Sequence, residues 1–462
     1  MIDVAQRAGR LDGLVARART VVEAARKLDH APTLATTLAT LARVEIAVGH
    51  VADSEATLRE LAQVAARAHD DRDAAFAWRS LIRLIGFDDG KPEQALALVP
   101  AADAAVLRAG DPADLRAELL YSQATVLDWG PHPAEGLALL LQARSMFEKA
   151  GGNDPTSPFA PRLADVVFET GTSHARQGHI DAALASLRDA IERWRAIFGP
   201  DSADEAFGWQ NLGAVLTRAA KPEESLAAFR NAARIREARI GESPTLAVSL
   251  VAVASALSEL GRWDEALAIY DRALRIDRQQ LPPGDLATAT VLLGRGLVLG
   301  HLKRLDEATQ SYDDAIAMYE KAGAKKRDFQ ATLFNRADIA ARRGNCEEAL
   351  RFDARATALA EEIGGPKSGL LLYSLVGGAA CLVRLGRPAE AIAPLERALG
   401  LDTDPAEHTE LARTRYFLGR ARVETRRDVA GGLAMVRAAR VDLAEDPEEV
   451  RDLDRWLAAH SR

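Results

Sequence analysis

Gly261-Arg262-Trp263-Asp264-Glu265-Ala266 decides the reading of this chain, because close copies of it recur along almost the whole sequence at a spacing of about forty residues. In each copy a turn glycine is followed five residues later by a small residue: Gly90 to Ala95, Gly178 to Ala183, Gly344 to Ala349 and Gly386 to Ala391, with Gly49 to Ser54 a looser version. The intervals between these small positions are 41, 88, 83, 83 and 42 residues, so the longer ones are each close to two periods. Degenerate copies fill the gaps, where Lys221 to Glu224 leads into Ser225 and Leu305-Asp306-Glu307 leads into Ala308. A period of about 34–45 residues with this pattern means stacked helical hairpins rather than a compact enzyme fold.

From residue 33 onward the pattern predicts ten hairpins, at roughly 33–69, 71–109, 112–149, 159–198, 203–240, 244–281, 284–322, 326–363, 367–400 and 406–444, then a last helix from Pro447 to His460. Leu250, Val253, Ala254 and Leu257 fall at i, i+3, i+4 and i+7, and Ala266, Tyr270 and Ala273 keep the same period in the partner arm, so both arms bury one face. Gly213, Ala254, Gly296 and Ala379 stand 12 residues before the small residue of the second arm, where two helix backbones must approach closely. A bulky side chain there would overpack by ~1–3 kcal/mol. Pro92, Pro222 and Pro388 fall where a second arm starts, a position that tolerates a missing N–H.

Gly9-Arg10-Leu11-Asp12-Gly13-Leu14 aligns with Gly261 to Ala266, so Met1 to Ala8 reads as the end of an incomplete first arm and the chain as cut from a longer one. The helix from Leu11 to Leu28 would then present an apolar flank with half a partner. At 151–158 the repeat spacing stretches to 47 or 48 through a run of turn formers. This predicts degenerate N-terminal repeats over 1–150 and a regular array with a C-terminal capping helix over 159–462; the alternative is a longer loop in one continuous array.

Apolar residues make up 48%, aromatics 5% and charged residues 27%, which suits amphipathic helices rich in alanine and leucine. The net charge of -8 argues against a nucleic-acid partner. Cys346 and Cys381 lie 35 residues apart, with no zinc or disulfide spacing, and fit a reducing cytoplasm. No run of 18 apolar residues and no signal-peptide pattern occurs, so neither membrane nor export is expected.

The pattern resembles the tetratricopeptide repeat, with a small residue at position 8, alanines at 20 and 27 and a large residue at 24. In 244–281 these are Ala254, Ala266, Ala273 and Tyr270; in 203–240 they are Gly213, Ser225, Ala232 and Phe229. The longer period, with Asn211-Leu212-Gly213 and the tail Ile235 to Gly241, is similar to the kinesin-light-chain variant. The match weakens before residue 110, where Arg83 occupies a position-8 slot. The resemblance implies an all-α, right-handed solenoid of stacked antiparallel hairpins. The closing segment, from Glu410 to Ala421, Ala434 to Arg440 and Leu453 to Leu457, resembles the C-terminal end of myxobacterial serine/threonine kinases, in which a kinase domain precedes the repeats. No kinase signature occurs in this chain, so no catalytic residue can be assigned.

Nine histidines are scattered, and only His174 and His179 come close, across a turn; no metal or cofactor site is expected. The run Gly294-x-Gly296-x-x-x-Gly300 lies inside a first arm and reads as close helix packing rather than a nucleotide loop. A partner is expected on the concave face lined by first helices. By alignment with the repeat family, that face includes Phe168, Arg176, Gln210, Arg218, Phe334, Arg342, Tyr373, Arg384, Arg413, Tyr416 and Arg420. Aromatics interleaved with arginines suit an extended peptide or an acidic segment. The family's two-carboxylate clamp needs neighbouring Lys/Asn sets, and Asn211 and Asn335 stand three repeats apart, so that clamp is not expected. The resulting expectation is a non-enzymatic, cytoplasmic interaction scaffold in bacterial signalling. The alternatives are the recruiting or regulatory region of a kinase and the ligand-sensing arm of a signalling ATPase or transcriptional regulator.

Overall fold

A left-handed glycine closes most of the hairpins: Gly178, Gly261, Gly344 and Gly386 have φ of 79°, 69°, 81° and 72°. In that conformation the residue after a helix can turn the chain back while its N–H bonds the last carbonyls, and only glycine adopts it without strain. Ala220 and Lys303 take the same role at φ 54° and 60° in the two degenerate copies. Second arms then start on Pro92, Pro222 and Pro388, whose missing N–H lies where no partner is needed. Ser202, Ser243, Asp285 and Asn345 cap other helices through side-chain oxygens that accept a backbone N–H.

The computed structural model describes residues 13–130, 132–404, 407–444 and 447–460, apart from the side chain at 448. The expected incomplete arm before Gly13 lies outside them. Among the described residues the chain is all-α, and it divides into two compact units, Met1–Gly241 and Glu242–Arg462.

In the first unit, α1 (Leu14–Arg26) precedes the hairpins α2 and α3 (Ala31–Val48, Val51–Ala68), α4 (Asp71–Arg83) with α5 and α6 (Pro92–Leu96, Val99–Arg108), α7 and α8 (Ala113–Trp129, Pro133–Lys149), α9 and α10 (Ala160–Arg176, Ile180–Phe198), and α11 and α12 (Ala203–Arg218, Pro222–Ile240). In the second unit the pairs are α13 and α14 (Pro244–Glu259, Trp263–Gln280), α15 and α16 (Leu286–His301, Leu305–Lys321), α17 and α18 (Arg327–Arg342, Cys346–Gly364), α19 and α20 (Leu372–Arg384, Pro388–Ala398), and α21 and α22 (His408–Glu424, Val429–Asp442), closed by α23 (Pro447–His460). Within each unit, each arm packs on its hairpin partner and each second arm on the next first arm.

The stretch 151–158 is a series of turns inside the first unit, and Phe147 and Leu163 on either side of it share one buried cluster. The irregularity at Arg83 has a structural cause. After α4 the chain makes a π turn over Leu84–Asp88, which inserts a residue into the helical count. Gly86, not residue 83, then makes the close approach: a Cβ there would stand 2.9 Å from that of Ala95.

Candidate functional site

With the small residue of each first arm counted as position 8, positions 2, 5, 6 and 9 share one helix face. In the first unit Glu118 and Asp165, at position 2 of α7 and α9, belong to a ladder of paired charges, while Phe207 at position 2 of α11 is exposed. Arg79 of α4 meets Glu118 of α7 at 2.7 Å, Glu118 meets Arg162 of α9 at 3.0 Å, and Arg162 meets Asp165 at 3.3 Å. Burial alone would raise the Glu118 carboxyl, but the Arg79 and Arg162 guanidiniums hold it below the usual carboxylate range. Phe168, expected on an open groove, is only 5% exposed, because the rings of Trp194 and Phe207 lie 5.2 and 5.1 Å from its own. Gln210 accepts a hydrogen bond from Arg236 at 3.1 Å.

The basic residue that ends a first arm is largely committed to packing. Arg176 pairs with Asp128 and lies 4.1 Å over the Trp129 ring. Arg218 donates to the Ala175 carbonyl at 2.7 Å, and Arg342 to the Gly300 carbonyl at 2.8 Å. Ala175 and Gly300 stand in the last turn of the preceding first arm, where each carbonyl also accepts a turn N–H, from Gly178 at 3.2 Å and from Lys303 at 3.1 Å. Both arginines thus fasten one hairpin to the one before. Among the described residues Arg384 alone of the expected arginines makes no hydrogen bond or ion pair, and it is exposed.

In the second unit the face is mostly apolar. Phe334 of α17 and Tyr373 of α19 bring their rings to 5.3 Å, and the Tyr373 hydroxyl donates to Glu407. Val248 of α13 is 56% exposed, Leu297 of α15 42% and Tyr373 37%. Arg413 donates to Glu410 at 2.9 Å and to Glu449 of α23 at 2.7 Å. Arg420 donates to the Tyr416 hydroxyl at 3.2 Å and to Glu424 at 3.1 Å, while the Trp456 indole of α23 donates to Glu424 at 3.0 Å. Tyr416 is buried. Arg413, Tyr416 and Arg420 therefore come together as the seat of the last helix.

Reasoning from first arms alone missed Asp353. It occupies position 24 of its repeat, four residues after Ala349, where other repeats place Phe229, Tyr270 and Tyr312. It is 4% exposed, and its Oδ1 has no hydrogen-bond partner among the described residues. Burial, with the Asp338 carboxylate adding to it, pushes its pKa up to about 8. A carboxylate in a large-residue slot was the signal that could have found it.

The glycine run does serve close packing: a Cβ at Gly294 would stand 2.5 Å from the Tyr270 ring, and one at Gly296 2.6 Å from that of Tyr312. The hairpin turn brings the Nδ1 atoms of His174 and His179 to 3.4 Å, and burial lowers the His174 pKa. Among the described residues no group of three or more His, Cys, Asp or Glu could hold a metal ion. No helix described is long and apolar enough to cross a membrane.

Stacked hairpins that expose a continuous face of first arms define a helical-repeat protein. The tetratricopeptide-repeat family model matches residues 169–238, 245–321 and 328–404. The protein KINESIN LIGHT CHAIN-RELATED 1 of Arabidopsis thaliana is 22% identical over 375 residues, covering 68% of this chain and 61% of that protein. This chain thus spans less than two thirds of that relative. Among solved structures, the apo form of RapI aligns with a TM-score of 0.55 at 15% identity, over 80% of this chain and 98% of that one. A tetratricopeptide repeat protein from Parabacteroides merdae aligns with a TM-score of 0.44 at 20% identity, over 63% and 96%. BtubC (BKLC) from P. vanneervenii gives 0.41 at 18%, over 49% and 89%. The chain is a tetratricopeptide-repeat protein whose repeats are similar to those of kinesin light chains.

Proposed function

We infer that the chain is an interaction scaffold that holds a peptide segment of a partner protein on the first-arm face of its second unit. Tetratricopeptide proteins as a class mediate protein–protein interaction and are as a rule non-enzymatic scaffolds. The observation that carries the reading here is the register of the open apolar side chains. Val248 stands at position 2, Leu297 at 9, Phe334 at 5 and Tyr373 at 2, so four consecutive first arms leave an apolar side chain on the same face. Single exposed apolar residues are ordinary, but an aligned series marks an interaction surface. The first-unit face, with its charges paired internally, offers less to a partner. The net charge of -8 supports a protein partner over nucleic acid.

The test is selection of random dodecapeptides on the immobilised full chain, followed by binding to a Val248→Glu, Leu297→Glu double variant. Both sites are partly open, so the variant should keep its helical melt. Recovered peptides should bind the parent chain at least tenfold more tightly than the variant. Equal binding, or recovery of no specific peptide, would overturn the assignment.

A further inference from the structure

The second unit holds a buried carboxyl group, that of Asp353, whose Oδ1 finds no hydrogen-bond partner among the described residues. In α14 and the following first arm, Tyr270 fills the space against Gly294, 24 residues on. In α18 the same slot holds Asp353, and the glycine 24 residues on is Gly377 of α19. A Cβ placed at Gly377 would stand 3.4 and 3.5 Å from the two Asp353 carboxylate oxygens. The carboxylate therefore aims at the point where a side chain of residue 377 would leave the helix, and nothing occupies that point.

Gly377 lies one turn beyond Tyr373, on the same side of α19, and Asp338 lies one turn beyond Phe334, on the same side of α17. The aromatic pair is thus followed, one turn along both helices, by two carboxylates. One is half exposed and the other buried.

Neighbouring cations are otherwise engaged. Arg336 pairs with Asp313 at 2.8 Å and Glu348 at 2.7 Å. Arg342 approaches Asp338 only to 3.6 Å and gives its other amino group to the Gly300 carbonyl. Arg384 forms no ion pair with either carboxylate among the described residues. A buried carboxylate is costly unless it is paired or protonated, and the rise of its pKa toward 8 reflects that lack of a partner.

A guanidinium suits this corner on three counts. It is planar and always charged, it forks toward carboxylate oxygens, and it stacks on aromatic faces. We propose that the corner formed by Phe334, Tyr373, Gly377, Asp338 and Asp353 receives an arginine side chain of the bound peptide, with the peptide's apolar residues seated on Val248 and Leu297. The assignment rests on the peptide-binding reading of this face and names the partner's chemistry: basic and apolar, not acidic.

The peptides selected on the full chain supply the test. Arginine beside apolar residues should be enriched among them. For the tightest peptide, measured by fluorescence anisotropy, Asp338→Asn and Asp353→Asn should each weaken binding at least tenfold, and replacing the peptide arginine by citrulline should do the same to the parent chain. Asp353→Asn preserves shape at a group whose Oδ1 makes no hydrogen bond among the described residues, so its melt should not fall. Asp338 is half exposed and gives a second variant with little bearing on folding. Neutral or acidic peptides that lose binding on Val248→Glu, Leu297→Glu but not on Asp353→Asn would overturn the arginine assignment and keep the peptide face. Recovery of no specific peptide would overturn both.

Discussion

At the scale of single residues, Asp353 sets a pH dependence. An aspartate in the unfolded chain has a pKa of about 3.9, and in the folded chain burial pushes that of Asp353 up to about 8. Between those values the unfolded state is ionised while the folded state keeps the proton, so folding takes up a proton and this group's contribution to stability falls as pH rises. The thermal midpoint of the second unit should therefore drop between pH 5 and pH 8, and Asp353→Asn should flatten that slope; an unchanged slope in the variant would rule out Asp353 as its source.

The arginines divide on the same scale. Arg342→Glu removes the donor to the Gly300 carbonyl and should lower stability by about 1 kcal/mol, whereas Arg384→Glu breaks no contact and should leave the melt unchanged. Sequence placed these arginines on one face by register but could not tell a residue that reaches a partner from one that reaches the previous hairpin. That difference lies in the side chain's course across some forty residues of intervening chain.

At the scale of elements, the hairpins were legible because most copies restate the same requirements: a turn residue in the left-handed region, a small residue at the crossing, and a large one opposite it. The hairpin expected at 244–281 spans 244–280, and that expected at 203–240 matches at both ends. The π turn at 84–88 was not legible, since an inserted residue looks like a faulty repeat when only a 3.6-residue period is counted. Two predictions belong here. Ala220→Gly and Lys303→Gly should each raise the unfolding free energy by ~1 kcal/mol, because a side chain in the left-handed region is strained. Gly296→Ala should lower it by ~1–3 kcal/mol, since the new methyl would meet the Tyr312 ring. Urea melts of the three variants measure both, and an unaltered Gly296→Ala midpoint would show that the crossing has room to spare.

At the scale of the whole molecule, repeat arrays owe their stability to nearest neighbours, so a local loss need not spread through the chain. With two compact units at Met1–Gly241 and Glu242–Arg462, Gly296→Ala should reduce amide hydrogen-exchange protection in the second unit and leave the first at its parental level. Equal loss in both would show that the units unfold together. A division after Gly241 could not be read from the sequence, because the repeat runs through that point in an unbroken period.

The backward reach of Arg218 and Arg342 gives such a stack a direction. Each of these straps adds a donor to a carbonyl in the last turn of a first helix belonging to the hairpin before it, beside the turn N–H of Gly178 or Lys303, so that turn is reinforced by a neighbour still to come in the chain. If a later hairpin loosens, the earlier one loses the side-chain donor to that carbonyl and keeps only the turn N–H; if the earlier one loosens, the later one keeps its own helix intact. Fraying across a strapped pair should therefore travel toward the N-terminus more readily than away from it.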